Sequence, residues 1–208
     1  MRQIYLDFNA STPVDPRVAD SMNAVMQCGY GNPSSLHWAG AAAKEFLEAS
    51  RKQVAHLLRC APAEVVFTSG GSEANNLALK GAFYARGGQA AHIVTTRIEH
   101  PSILAPCEFL QRHGARITYL PVDGTGLVDP DNVRRAITRD TILLSVMHAN
   151  NEVGTIQPIA ACSHIAREIG HRPSLRDPDM PPLRKLCPST TANTWASRTQ
   201  QINIQCKS

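Results

Sequence analysis

Four polar segments carry the residue types that chemistry needs. The richest is Phe67-Thr68-Ser69-Gly70-Gly71-Ser72-Glu73-Ala74-Asn75-Asn76. A β-branched run ends there in two glycines and a hydroxyl, and a helix begins. Such a turn presents free backbone N–H groups and the positive helix end to an anion. Glycine lets the backbone approach a phosphate closely. The same string also reads as an ordinary strand-to-helix turn with Ser72 as N-cap. In Arg97-Ile98-Glu99-His100-Pro101-Ser102, His100 follows a strand-like run. A histidine there can stack on a flat ring or move protons, or be a plain surface-loop residue. In Met147-His148-Ala149-Asn150-Asn151-Glu152-Val153-Gly154 the amides can bond a ring substituent or a substrate carboxylate. The alternative is a turn with asparagine in a left-handed conformation. The fourth segment is Tyr5-Leu6-Asp7-Phe8-Asn9-Ala10-Ser11-Thr12-Pro13, with Gly31-Asn32-Pro33-Ser34-Ser35 about 20 residues later.

These segments need elements to position them. Asp15-Pro16 reads as an N-cap with proline in the first turn, opening a helix with Val18, Met22 and Val25-Met26 on one face. A long amphipathic helix is expected from Leu36 to Arg59, with apolar positions near helical spacing. Strands are expected at Glu64–Thr68, His92–Thr96, Arg116–Leu120 and Thr141–Met147. Helices are expected from Ser72 to about Ala85, from Pro101 to about Arg112, after Asp129-Pro130, and from Ile159 to Ile169. Strands alternating with helices indicate an α/β three-layer fold with a mainly parallel sheet. In such sheets ligands bind outside the carboxyl ends of the strands.

Composition is that of a soluble globular protein, 43% hydrophobic and 18% charged. No apolar run reaches the roughly 18–20 residues of a membrane span, and the N-terminus has no signal-peptide apolar region. A cytoplasmic protein with no membrane partner is expected. The net charge of +4 lies entirely in residues 171–208, where six basic residues face two acidic ones. Residues 1–170 balance at 15 of each, so no patterned basic face points to nucleic acid. None of the six cysteines forms a C-x-x-C pair, so no metal site is indicated. Cys107 and Cys162 fall on predicted helices and are expected to pack.

Together the four segments resemble, in order and spacing, the class V aminotransferases and within them the cysteine desulfurases. Family motifs match at Tyr5-Leu6-Asp7, Gly31-Asn32-Pro33-Ser34-Ser35, Thr68-Ser69-Gly70-Gly71-Ser72-Glu73, Glu99-His100 and Met147 to Gly154. The resemblance runs from about Ile4 to Gly170 and implies the partial large domain of a fold-type-I pyridoxal 5'-phosphate enzyme. It implies that Gly71 and Ser72 hold the cofactor phosphate, Ser72 replacing the commoner threonine. It implies that His100 stacks on the ring, with proton transfer open to it, that Asn151 sits beside the phenolic oxygen, and that Asn32 lies near the substrate. The implied reaction removes sulfur from L-cysteine, giving alanine and a persulfide for iron–sulfur cluster or thiocofactor assembly. A homodimer and sulfur-acceptor or scaffold partners are implied with it.

The match stops at Gly170-His171. The family's H-x-D-x-x-Q and S-x-H-K segments, with the ring-nitrogen aspartate and the Schiff-base lysine, have no counterpart, nor do its persulfide cysteine and substrate-binding arginine. Lys44, Lys52 and Lys80 lie on predicted helices, and Lys185 and Lys207 in unrelated sequence. No catalytic residue is therefore assigned. Residues 171–208 hold five of the 14 prolines and no apolar period, and are expected to be a disordered tail. The break is read as a frameshift, a splice change or a gene-model error, leaving a truncated, inactive family member. Two other readings stand beside this one. One is a selenocysteine lyase or other class V relative; the other is a non-catalytic protein pairing with a full-length homologue.

Overall fold

The computed structural model describes residues 3–170 and Gln201–Ile204. They fall into two compact units, one of residues 13–67 and one formed by 3–12, 68–170 and Gln201–Ile204.

The first unit is helical. Helix α1 (Pro16–Cys28) starts where the sequence predicts, Asp15 accepting the Arg17 N–H at 2.9 Å. Helix α2 (Trp38–Leu58) stops at Arg59, whose positive φ of 53° turns its N–H back onto Ala55 and His56. The buried positions of α2 are small, Ala39, Gly40, Ala43 and Ala55, so neighbouring backbone can lie close to its axis. The loop 31–35 does so. A Cβ on Gly31 would stand 2.1 Å from the Ala39 carbonyl oxygen, and one on Gly40 2.3 Å from that of Ser35. Only glycine permits that approach.

The second unit holds the sheet. Strands β1 (His92–Thr96), β2 (Arg116–Leu120) and β3 (Thr141–Met147) have the predicted bounds and run parallel in the order β2-β1-β3. Helices α3 (Gly71–Ala85), α4 (Pro101–Arg112), α5 (Pro130–Ala136) and α6 (Ile159–Gly170) flank it. Period-2 alternation divides the strands between two cores. Ile93 and Leu143 face Leu79, Phe83, Ile103 and Leu110 of α3 and α4. Val94, Leu144 and Val146 face Val133 of α5 and Cys162 and Ile165 of α6. Each fully buried side chain of this kind contributes about 1.5–3 kcal/mol. The architecture is the expected three-layer α/β sandwich.

Connection order explains the layering. From β1 the chain steps to β2 on one side, then from β2 across to β3 on the other. Parallel crossovers keep one hand, so reversing direction puts α4 and α5 on opposite faces. The loops leaving the carboxyl ends of the neighbours β1 and β3 therefore diverge, α4 going to one face and α6 to the other. In open α/β sheets it is at such a fork that ligands bind.

Two expectations are corrected. Glu64–Thr68 is not a strand: a 3-10 turn (Pro62–Glu64) leads into extended chain, with Val66 and Phe67 exposed. A β-rich run becomes a strand only where another strand bonds its backbone, and none does so among the described residues. The other is Ser72 as N-cap, since α3 begins at Gly71 and the N-cap, Gly70, stands two residues earlier. Within 171–208, Gln201–Ile204 forms β4, antiparallel to β3. The rest of that stretch, on which the expectation of a disordered tail falls, lies outside the described residues. No helix among the described residues is long and apolar enough to cross a membrane.

Candidate functional site

Gly71 is buried as the first residue of α3, and Ser72 beside it is exposed. Gly70 at the N-cap is extended and has no side chain to offer the first-turn N–H groups, so none of them is capped by it. The approach to the helix is braced elsewhere. Glu73 Oε2 accepts the N–H and hydroxyl of Ser69, both at 2.6 Å, and these bonds hold its carboxyl below the usual range. The Thr68 hydroxyl donates to the Gly70 carbonyl at 3.2 Å. What results is an uncapped amino end on a 15-residue helix, favourable to a phosphate.

His100 is the N-cap of α4. Its Nδ1 accepts the Ser102 N–H at 3.0 Å and lies 2.8 Å from the Ser102 hydroxyl. That hydroxyl in turn accepts from the Asn75 amide at 2.8 Å. Asn75 thus ties α3 to the amino end of α4. Because Nδ1 is an acceptor, the proton of a neutral His100 ring belongs on Nε2, and the ring is exposed.

The loop after β3 is held to the same place. The Asn150 amide donates to the Ile98 carbonyl at 3.0 Å, and its Oδ1 accepts the N–H groups of Glu152 and Val153. Asn150 is therefore committed to shaping the loop. Asn151 is half-buried, and among the described residues its amide donates only to its neighbour Glu152, at 3.2 Å. Of the two amides, Asn151 is the one that does not hold the loop in shape. Gln157 anchors the far side of the loop, accepting from Val128 N–H and donating to the Gly126 carbonyl.

Glu99 joins β1 to β3. It is 4% exposed, and its Oε1 accepts the Met147 N–H at 2.7 Å and the Thr96 hydroxyl at 3.2 Å. Burial pushes its carboxyl up to about 7, against the pull of those two bonds.

Four of the five residues singled out in the sequence, Gly71, Ser72, His100 and Asn151, lie in one unit, on segments joined by these bonds. Asn32 belongs to the 13–67 unit, where it is exposed and its Oδ1 accepts the Ser34 N–H at 2.9 Å. Sequence reasoning missed Asn75, Ser102, Glu99 and Asn150 as the residues that hold the site together. Only Glu99 left a signal, an acid three residues past a strand-like run with no base at helical spacing. Cys107 and Cys162 are buried on their helices, as expected of packing residues.

Residues 4–172 match the family model for aminotransferase class-V. The chain is 46% identical over 167 residues to the cysteine desulfurase IscS of Dictyoglomus turgidum, covering 80% of this chain and 42% of that protein. It is 46% identical over 168 residues to a mitochondrial cysteine desulfurase of Arabidopsis thaliana, covering 80% and 37%. Among solved structures, a NifS-like protein superposes with a TM-score of 0.77 at 38% identity, over 80% of this chain and 46% of that one. SspA in complex with cysteine superposes with a TM-score of 0.75 at 38% identity, over 79% and 48%. The chain thus spans less than half the length of these relatives.

Proposed function

The chain belongs to the aminotransferase class-V family, and on that premise we propose that residues 3–170 are the N-terminal part of a pyridoxal 5'-phosphate-dependent cysteine desulfurase, supplying the cofactor's phosphate seat and two of its ring contacts. The observation that carries this reading is the hydrogen-bonded path from α3 through Asn75, Ser102 and His100, continued by the Ile98–Asn150 bond to the loop after β3. The residues fit the group: the amino end of α3 is uncapped and opens on a buried glycine.

Gly71 offers a backbone N–H and Ser72 a hydroxyl to the phosphate. His100, its Nδ1 committed to Ser102, turns a ring face and the Nε2 proton outward, which suits stacking on a pyridine and proton transfer at Nε2. Asn151 would hold the phenolic-oxygen side of the ring through its amide, and Asn32 would serve the substrate. When bound, the cofactor supplies an electron sink for bond breaking at an amino acid.

L-cysteine is the substrate class of this reading, with alanine and a persulfide as products, and sulfur-acceptor or scaffold proteins as partners in iron–sulfur cluster or thiocofactor assembly. A homodimer in the cytoplasm belongs to the same proposal. The tethering lysine, the ring-nitrogen aspartate and the persulfide cysteine have no counterpart in residues 3–170. Binding and orientation, rather than turnover, are therefore assigned to them, and 171–208 is read as unrelated to the family.

Titration of the full chain with pyridoxal 5'-phosphate, followed by equilibrium dialysis, tests this. Binding is expected, much weaker for unphosphorylated pyridoxal, and about tenfold weaker in Ser72→Ala, the loss of one hydrogen bond to a charged group. Equal affinity for the two ligands would overturn the phosphate seat. Alanine formed from L-cysteine by the chain alone would overturn the assignment of missing groups.

A further inference from the structure

We propose that Glu99 is a positioning residue, whose side chain sets the placement of His100 and Asn151 by clamping the turn after β1 to the carboxyl end of β3. The inference rests on the reading of those two residues as cofactor-facing.

The geometry is specific to this side chain. Glu99 is the residue directly before His100, and its Oε1 reaches across to the N–H of Met147, the last residue of β3. The Thr96 hydroxyl, at the end of β1, donates to the same oxygen. One atom thus bridges the ends of the two strands whose loops carry the candidate ring contacts. A second stitch runs the other way, from the Asn150 amide to the Ile98 carbonyl. Together they fasten residues 96–99 to 147–150 from both sides, and His100 and Asn151 are the next residue of each segment. Among the described residues, neither the exposed His100 nor the half-buried Asn151 side chain has such a long-range bond of its own.

What the clamp requires is reach rather than charge. Oε2 is buried without a hydrogen-bond partner among the described residues. Burial also raises the carboxyl, opposing ionisation. A neutral acceptor of the same length therefore serves the Met147 N–H as well. A shorter carboxylate does not, because losing one methylene withdraws the oxygen from both donors.

The test compares Glu99→Gln, which keeps reach without charge, with Glu99→Asp, which keeps charge without reach. The readouts are backbone amide exchange of Met147, the ring ¹⁵N shifts of His100, and pyridoxal 5'-phosphate affinity of the full chain. In Glu99→Gln, Met147 protection, the His100 Nδ1 shift and the affinity should match the parent chain. In Glu99→Asp, Met147 should exchange at least tenfold faster, the His100 shifts should change, and affinity should fall several-fold. Amides of Ile93 and Val94 should keep their protection in both. Loss of Met147 protection in the Gln variant with retention in the Asp variant would overturn the proposal, as would unchanged Met147 and His100 signals in the Asp variant. If the parent chain binds no pyridoxal 5'-phosphate while the exchange and shift results hold, the functional reading fails and the clamp stands.

Discussion

Replacing Gly40 by alanine separates helix propensity from packing, because the two predict opposite signs. Gly40 lies in α2, and at a helical position alanine is favoured over glycine by up to about 1 kcal/mol. Against this, the new methyl carbon would stand 2.3 Å from the Ser35 carbonyl oxygen, 2.7 Å from that of Asn32, and 2.8 Å from the Ser35 Cβ. Two of these obstacles are backbone atoms of the 31–35 loop, so relief needs a shift of about 1 Å in the loop itself. Insertions into packed regions cost about 1–3 kcal/mol. The Ser35 N–H also donates to that same Asn32 carbonyl at 2.9 Å, a bond of roughly 1 kcal/mol that the shift would strain. The net expectation is a destabilisation of about 1–3 kcal/mol. Gly81 is the matched control: it lies in α3, exposed, and a Cβ there meets nothing within 4 Å. Gly81→Ala should stabilise by roughly 0.5–1 kcal/mol. Urea unfolding followed by circular dichroism reads both, and with slopes of about 1–3 kcal/mol per molar the Gly40 midpoint should fall by on the order of 1 M. A Gly40→Ala midpoint equal to or above that of the parent would refute the close approach on which the shape of the Asn32 loop depends.

Two further outcomes follow from buried titratable groups. His92 is 1% exposed, with Thr141 and Thr118 hydroxyls each 2.7 Å from its ring nitrogens. Burial and the nearby Arg116 charge push it down to about 4, so the folded state resists charging it. The resulting loss of stability should begin as pH falls below about 6.5 and be complete below about 4. The full shift corresponds to about 3 kcal/mol, and screening at the amino end of the interior strand β1 brings it to roughly 2. Urea midpoints of the parent and His92→Gln should therefore converge or cross on acidification; a ring titrating near 6.5 by NMR would contradict this. Burial pushes the Cys107 thiol up to about 12 and Cys162 to about 11, whereas Cys28 is exposed. Mass spectrometry after native labelling with a disulfide reagent at pH 8 should find Cys28 modified well ahead of both.

Local chemistry was legible in the residues themselves. The strand-like runs His92–Thr96 and Thr141–Met147, and proline after Asp15, His100 and Asp129, fixed element ends to within a residue or two. Those signals lie within a single turn or strand, so no distant partner is needed to read them. The fate of Glu64–Thr68 is different: its composition suits a strand, but strand formation depends on a neighbour's backbone, which the residues themselves do not specify. The same holds for the residues that assemble the site. Asn75 meets Ser102 across 27 positions, Glu99 meets Met147 across 48, and Asn150 meets Ile98 across 52. Only the folded chain decided that Asn150 is committed to its loop while Asn151 is available, and that a glycine at position 40 is required where helix propensity favours alanine. Motifs name the groups that touch a ligand, because those must have particular chemistry. The groups that hold them need only the right reach from the right place, and that is a property of three dimensions.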